Sequence, residues 1–270
     1  MTPLPLTAAI LLLAAMLPAA AQPAPPAAVI HDLAPTGKLR VALNFGNSVL
    51  VQRGAQGEPH GVTPDLAREL GKRLGVAIEF VPYEAAVDVF KAAGAGAWDI
   101  AFLAIEPARA KEIAFTAPYL IIEGTYMVRQ DSPLQDVGDV DKPGIKIAVG
   151  VGSAYDLFLT RTLKHATIVR AANGGARAMI DLFVADHLDA VAGVRQSLDG
   201  YAADHADMRV MKGHFQDIRQ AMAIPKKDGQ AGEAGAQYLH AFVEDMKASG
   251  FVADALARSG QVAVVAPAEK

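Results

Sequence analysis

The sequence contains no cysteine among its 270 residues. The chain therefore cannot form a disulfide, a thiolate metal site, a thiol nucleophile or a lipidated cysteine. It also lacks an excess of basic charge, since its formal net charge is -4 and its pI is near 6.0. Nucleic acids and anionic membrane surfaces attract basic proteins, so this charge gives no case for either partner.

Signature motifs of several enzyme classes are also missing. None of the seven histidines belongs to an H-E-x-x-H pair or a comparable metal-ligand spacing. The chain has no G-x-S-x-G nucleophile elbow, no P-loop and no tandem repeat of solenoid length. We therefore predict no metal and no cofactor.

The N-terminus carries an apolar run at residues 8–17, which is too short to span a bilayer as an ordered helix. Three alanines follow at residues 19–21 and resemble an A-x-A cleavage site. We expect residues 1–21 to be a cleavable signal peptide and residues 22–35, rich in Pro and Ala, to be a flexible lead-in. A retained hydrophobic anchor is the alternative. No later run is long enough to span a membrane, so we expect an exported protein that is not inserted in one.

Apolar runs alternate with helical periodicity in two similar blocks, near residues 36–127 and 131–219, before a terminal helical part. This order predicts an α/β protein with right-handed crossovers and a mainly parallel sheet. Strands are predicted at residues 39–43, 76–81, 98–103, 145–149, 188–192 and 220–224. Helices are predicted from Thr63 as N-cap, around Phe90, and over residues 152–164.

Arg109 follows the predicted strand at residues 98–103, with Pro107 in the first turn of a short helix. An arginine beyond the carboxyl end of a strand suits the crevice where α/β sheets bind ligands. Its guanidinium can hold a carboxylate through two parallel hydrogen bonds. The alternative is a solvated arginine paired with Glu106 or Glu112.

A second candidate site lies at residues 150–156, where a predicted strand meets a helix. Gly152 lets the backbone approach a ligand, and Ser153 and Asp156 have the spacing of a capping box. Free N–H groups at a helix start attract an anion. The alternative is an ordinary strand-to-helix turn. The segment is also a broken G-x-G-x-x-G, which is weak support for a dinucleotide.

Arg109 is followed by the run I-A-F-T-A-P-Y at residues 113–119. An arginine ahead of an apolar-Phe-Ser/Thr-x-Pro-Tyr run resembles the family 3 periplasmic solute-binding proteins, the amino-acid-type receptors of ABC importers. The resemblance extends from Gly37 to the final helices. It implies a type II periplasmic binding protein fold of two lobes joined by a two-strand hinge. Lobe 1 would comprise residues 36–127 and 225–265, lobe 2 residues 128–224, with crossings near residues 126–129 and 221–225.

The resemblance also implies a site, in which a ligand carboxylate is held between Arg109 on one lobe and the turn at Gly152 on the other. Phe102 and Ala104 stand where receptors for α-amino acids usually have Ser or Thr. Val194 stands where they use an acidic residue for the ligand ammonium, so we hypothesise a small carboxylate without a standard ammonium site. The predicted ligand-binding residues are Phe45, Phe102, Ala104, Glu106, Arg109, Gly152, Ser153, Ala154 and Arg195. Arg195 is expected to bind a second acidic group of the ligand. The alternative is that its side chain points to solvent.

The leading function implied by the resemblance is capture of a small carboxylate or amino-acid-like solute by lobe closure, in the periplasm, for the permease of an ABC importer. The protein would be a monomer and no enzyme. A second hypothesis is an enzyme resembling cyclohexadienyl dehydratase, acting on prephenate or arogenate with Glu106 as the nearby acid. A third is a sensor module that acts on a membrane receptor.

Overall fold

The computed structural model describes residues 24–172 and 175–269, and one large sheet runs through both halves of the chain. The strands are β1 (Lys38–Asn44), β2 (Gln52–Arg53), β3 (Pro59–His60), β4 (Ala77–Tyr83), β5 (Ile100–Ala104), β6 (Ile113–Arg129), β7 (Lys146–Gly150), β8 (Thr167–Ala171), β9 (Ala190–Val194), β10 (Met208–Val210), β11 (Gln216–Pro225) and β12 (Val264–Val265). The helices are α1 (Ala27–Leu33), α2 (Val62–Leu74), α3 (Ala86–Ala93), α4 (Ala154–Thr162), α5 (Ala176–Ala185), α6 (Arg195–Ala203), α7 (Glu233–Ala248) and α8 (Phe251–Arg258).

The sheet has two parallel halves, one in each lobe. In lobe 1, β1 pairs in parallel with β4 and β5, and in lobe 2, β7 pairs in parallel with β8 and β9. The two long strands β6 and β11 are antiparallel and lie between the halves. The small β2–β3 hairpin stands apart from this sheet. This is the predicted α/β fold of two lobes joined by a two-strand hinge.

The hinge strands cross between the lobes a few residues earlier than predicted. Strand β6 already pairs with β9 of lobe 2 over Gly124–Met127, so its crossing lies near residues 121–123. Strand β11 pairs with β5 of lobe 1 from Gln220 to Ala223, so the return crossing lies near residues 216–219. A hydrophobic run shows that a strand exists but not where it changes partner, because pairing register depends on the neighbouring strands.

Strand β5 is buried over its whole length, as the apolar run ahead of Arg109 predicts. Trp98, just before it, is 1% exposed, and its indole N–H donates to the Val89 carbonyl at 2.9 Å. Strands buried on both faces are typical of the centre of a parallel sheet. The carboxyl end of β5 is therefore a rigid place from which to present a side chain.

The predicted flexible lead-in at residues 22–35 is wrong over Ala27–Leu33, where the structure has helix α1. Val29 and Leu33 are buried, and the Asp32 carboxylate accepts a hydrogen bond from the Gly235 N–H of α7 at 2.9 Å. Packing against a helix more than 200 residues later explains the difference, since a helix this short is not stable alone. The predicted signal peptide at residues 1–21 lies outside the described residues.

The terminal helices return to lobe 1. Helix α7 is tied to α2 through Asp245 and Arg73 at 2.6 Å, and α8 through Arg258 and Asp65 at 2.8 Å. Helix α2 starts at Val62, so Thr63 is not its N-cap as predicted. The Thr63 hydroxyl instead donates to the Leu50 carbonyl at 3.1 Å.

Within the described residues, every helix falls short of the length and apolar character that a bilayer crossing requires.

Candidate ligand-binding cleft

Arg109 opens a short 3-10 turn, Arg109–Lys111, that follows β5. Although arginine is usually exposed, this residue is 1% exposed. One guanidinium nitrogen, Nη1, donates to the carbonyl of Ala104 at 3.1 Å, and Nη2 donates to the carbonyl of Gly152 at 2.9 Å. Ala104 ends β5 in lobe 1, whereas Gly152 belongs to lobe 2. The arginine therefore lies where the two lobes meet.

Arg109 is a buried cation that forms no ion pair within the part of the chain that the structure describes. Among the described residues, no carboxylate comes within the 4.0 Å of a salt bridge to its guanidinium. Burial lowers the pKa of Arg109 to about 10, partly offset by the charge of Glu106, so the side chain stays charged near neutral pH. A buried charge held only by carbonyl dipoles is costly, and a bound anion would relieve much of that cost.

The other wall of the cleft is the start of α4. Ser153 is its N-cap, and the Ser153 hydroxyl accepts from the Asp156 N–H at 3.0 Å, as the capping spacing predicts. The Asp156 carboxylate accepts from the Gly152 N–H at 2.8 Å and pairs with Arg170 at 3.0 Å. The Ser153 N–H donates to the Gly150 carbonyl at 3.1 Å.

These bonds change which amides can hold an anion. The N–H groups of Gly152 and Ser153 are occupied by acceptors within the turn itself. The N–H groups of Ala154 and Tyr155, at the first two positions of α4, have no acceptor among the described residues. Both N–H groups lie in the first helical turn, which leaves such groups without intrahelical partners. The ligand role of Ala154 stays a prediction.

Gly152 contributes in a different way from the one predicted. Its φ of +65° is one that residues with a side chain rarely adopt, and a Cβ placed on it would lie 2.8 to 2.9 Å from the Val87 side chain. Val87 belongs to α3 of lobe 1. The glycine thus lets the two lobes approach closely, while its carbonyl accepts the Arg109 hydrogen bond.

A small cavity lies between these two walls. It offers about 50 Å³ to the centre of a water-sized sphere, which is room for a ligand of a few heavy atoms. Of the predicted residues, Phe102, Ala104, Arg109, Ser153 and Ala154 line it. Arg109 is the one charged side chain among the described residues that line this cavity.

Four predicted residues are not among those that line this cavity, namely Phe45, Glu106, Gly152 and Arg195. Phe45 lines the wider outer part of the cleft, where its ring stacks under the Arg53 guanidinium, 3.9 Å from the ring centre. The Glu106 carboxylate is bonded to Arg161 at 2.6 Å and to Gln216 at 3.0 Å. Glu106 and Arg195 are therefore corrections to the predicted site.

Arg195 is held away from the cavity by partners of its own. Its guanidinium pairs with Glu123 of β6 and also donates to the carbonyl of Gly213. A cation at the start of a helix opposes the helix dipole, and the nearby carboxylate compensates for that. Local sequence patterns could not identify Glu123 as the partner, because it lies 72 residues before Arg195 in the chain.

Some residues of the cavity were not predicted, among them Asn44, Asn47, Val194 as a lining residue, Ser197 and Gln220. Asn44 ends β1, so the rule that ligands bind beyond the carboxyl ends of parallel strands could have found it. Gln220 lies within a run that has the pattern of an ordinary buried strand, and no local pattern marks it.

The described residues contain no cluster of three or more His, Asp or Glu side chains able to hold a metal ion.

Two α/β lobes, two hinge strands and a cavity where the lobes meet define a two-lobed binding protein of the type II periplasmic fold. Residues 39–258 match the family model of the bacterial extracellular solute-binding proteins, family 3. The match covers most of the sequence, and the chain belongs to that family.

Solved structures share this fold over most of their length. A variant of ArgBP from T. maritima has a TM-score of 0.69 at 22% identity, covering 86% of this chain and 99% of that one. The solute receptor for L-cysteine of Neisseria gonorrhoeae has a TM-score of 0.70 at 20% identity, with coverages of 83% and 89%. An ancestral amino acid-binding protein, described as a precursor of cyclohexadienyl dehydratase, has a TM-score of 0.66 at 26% identity, with coverages of 82% and 95%.

Proposed function

We propose that this chain captures a small carboxylate or amino-acid-like solute in the cleft between its lobes and presents it to the permease of an ABC importer. Membership of an extracellular solute-binding family supports capture outside the cytoplasm. Similar chains are described as substrate-binding proteins of amino acid ABC transporters, one of them bound to L-arginine. The expected signal peptide at residues 1–21 and the family support placement in the periplasm, and we propose that the protein acts there as a monomer.

The observation that carries the proposal is the burial of Arg109, whose guanidinium forms no ion pair with any described carboxylate. Its planar guanidinium matches a carboxylate through two parallel hydrogen bonds. On the facing wall, the N–H groups of Ala154 and Tyr155 point from the positive end of α4. A ligand carboxylate placed between them would be bonded from both lobes at once.

Such bridging explains how binding favours closure. A ligand shifts the equilibrium between open and closed forms only by its difference in affinity for the two. An anion held by Arg109 of lobe 1 and by α4 of lobe 2 has its full set of partners only when the lobes meet. The Glu106–Arg161 ion pair and the Gly152–Val87 contact also join the two lobes. Both contacts stabilise the closed form.

Calorimetric titration of the mature protein with a panel of mono- and dicarboxylates and amino acids tests this function. We expect at least one small carboxylate to bind and to raise the melting temperature, because a ligand of the folded state stabilises it. Arg109→Met should weaken that binding, whereas Arg68→Met, which removes an exposed arginine on α2 that lines neither part of the cleft, should leave it unchanged. A panel in which nothing binds, or in which both variants bind as well as the parent, contradicts the proposal.

The enzyme alternative has one observation in its favour, the likeness to the ancestral precursor of cyclohexadienyl dehydratase. That likeness concerns a protein described as amino acid-binding. Against the alternative, a general acid must reach the substrate, and the Glu106 carboxylate is bonded to Arg161 and Gln216 outside the cavity lining. Incubation with prephenate separates the two functions, and we expect no phenylpyruvate above the rate without protein.

A further inference from the structure

Gln220 is a buried polar residue that the proposed function does not yet use. It lies on the hinge strand β11, is 4% exposed and lines the same cavity as Arg109. Its side-chain oxygen, Oε1, is fully buried and has no hydrogen-bond partner among the described residues. Buried amide groups nearly always have a partner, so an unpaired amide on a residue that lines a cavity points to a partner carried by the ligand, reached by rotation of the side-chain amide.

The sheet register brings Gln220 close to the arginine. Gln220 faces Ala104 in the antiparallel pairing of β11 with β5, and the Ala104 carbonyl holds Nη1 of Arg109 at 3.1 Å. The Cα atoms of facing residues in such pairs are about 5 Å apart. A ligand with its carboxylate on Arg109 therefore places its next few atoms within reach of Gln220.

A β-bulge at this point separates Gln220 from the regular strand. The pairing of β11 with β6 shifts register between Gln220 and Ala221. Bulges re-aim a side chain and are common next to ligand sites. The irregularity of the hinge strand thus lies at the residue that borders the cavity.

Among the described residues that line the cavity with Gln220, no side chain carries a negative charge to receive an ammonium. The lining side chains near it are neutral, with Val194 and Ile218 apolar and Ser197 uncharged. The carboxylates of Glu84, Asp88 and Asp181 line the outer cleft instead. An ammonium beside the carboxylate would be buried without a counter-charge, which is strongly unfavourable.

We propose that Gln220 is a specificity-determining residue that selects acids bearing a hydroxyl close to the carboxylate, the 2-hydroxy acid class, over the zwitterionic amino acids of the same carbon skeleton. A hydroxyl both donates and accepts, so it satisfies either end of the glutamine amide. This inference rests on the proposed function, because it takes Arg109 as the carboxylate anchor.

The test uses matched acids that differ at one substituent. Lactate, alanine and propionate form one set, and 2-hydroxyisovalerate, valine and isovalerate form a second with a larger body. We expect calorimetry to give at least tenfold tighter binding of a hydroxy acid than of the matched amino acid. Binding of the hydroxy acid should also be about tenfold tighter than that of the unsubstituted acid, which is the gain of one buried hydrogen bond.

Gln220→Met, with Gln237→Met on the exposed surface of α7 as the control, assigns the effect to the residue. The Gln220 variant should bind the hydroxy acid only as well as the unsubstituted acid, while its affinity for the unsubstituted acid stays within about twofold of the parent's. Its melting temperature without ligand should not fall, because the lost Oε1 has no partner in the protein.

Two results would overturn the inference while leaving the proposed function standing. One is an amino acid that binds as tightly as its matched hydroxy acid. The other is a Gln220→Met protein that melts lower and loses affinity for all three acids alike, which would mark a structural role. Failure of every carboxylate to bind would instead overturn the proposed function, and this inference with it.

Discussion

Arg109 and Arg195 occupy corresponding places in the two lobes, yet their surroundings differ. Each opens a helical turn after the carboxyl end of a central strand, β5 or β9, and each donates to a glycine carbonyl, that of Gly152 or Gly213. The Arg195 side chain is 24% exposed and pairs with Glu123. Arg109 is 1% exposed and, among the described residues, has no carboxylate partner.

The comparison shows what turns an arginine at a strand end into an anion site. Position alone is not enough, because both arginines have it. Arg195 already has a negative partner, so a second anion would bring little further stabilisation. Arg109 is left with carbonyl dipoles in a buried place, where an added anion interacts strongly because little water screens it. The missing carboxylate therefore distinguishes the two sites.

Replacing each arginine by methionine is expected to give the largest contrast. Arg109→Met should weaken carboxylate binding by about 2 kcal/mol or more, roughly thirtyfold, because the ligand anion would be buried without its cation. Arg195→Met should change binding by less than about twofold, since its partners are Glu123 and Gly213. Calorimetric dissociation constants check both variants, and equal losses in the two would abolish the distinction drawn between the lobes.

The two variants should also differ in stability without ligand. Arg109→Met should leave the free protein's melting temperature unchanged or raise it, because replacing a buried unpaired charge by an apolar side chain removes a desolvation cost.

Gly152 and Gly213, whose carbonyls accept the arginine hydrogen bonds, allow the same comparison with a smaller expected effect on binding. Both have positive φ, +65° at Gly152 and +73° at Gly213, so alanine at either costs about 1 to 2 kcal/mol of stability. A Cβ at Gly152 would press against Val87 of the other lobe, at 2.8 Å, whereas one at Gly213 has its nearest neighbour at 3.9 Å. Only Gly152→Ala should hinder closure and weaken binding, by about tenfold.

Melting temperatures of both alanine variants report the backbone strain, and their dissociation constants report the effect on lobe closure. Similar melting temperatures with unequal affinities fit the account. Unchanged affinity in Gly152→Ala would mean that the lobes do not meet at this contact when the ligand binds.

The smallest effect expected is that of pH. The pKa of Arg109 is lowered to about 10 by burial, and carboxylate ligands are ionised above about pH 5. Both partners therefore keep their charge between about pH 6 and pH 8.5, and the dissociation constant should change by less than about threefold across that range. A tenfold change per pH unit, measured by titration in matched ionic strength, would assign binding to a titrating histidine or carboxyl group.

Much of the fold could be predicted from the sequence because it depends on local patterns. The apolar run of β5 and Pro107 place Arg109 at a strand end, and the Ser153–Asp156 spacing places the start of α4. Gly75 and Gly250 end α2 and α7 with the positive φ expected of a helix stop. These features arise from side-chain periodicity and backbone preference over a few residues.

The details of the site could not be predicted in the same way. Glu106 stands three residues from Arg109, but its partner is Arg161, a contact that exists only because the lobes meet. Whether the amides of Gly152 and Ser153 face a ligand depends on bonds to Asp156 and Gly150, which a capping pattern does not resolve. Gln220 lines the cavity at a place set by strand register and a bulge, which depend on the neighbouring strands.

A crystal structure with a bound carboxylate tests the central claim most directly. The account predicts the ligand's carboxylate oxygens within hydrogen-bond distance of the Arg109 guanidinium and of the N–H groups of Ala154 and Tyr155, with both lobes closed around it. A ligand whose carboxylate lies elsewhere in the cleft, with Arg109 still bonded only to the carbonyls of Ala104 and Gly152, would contradict it.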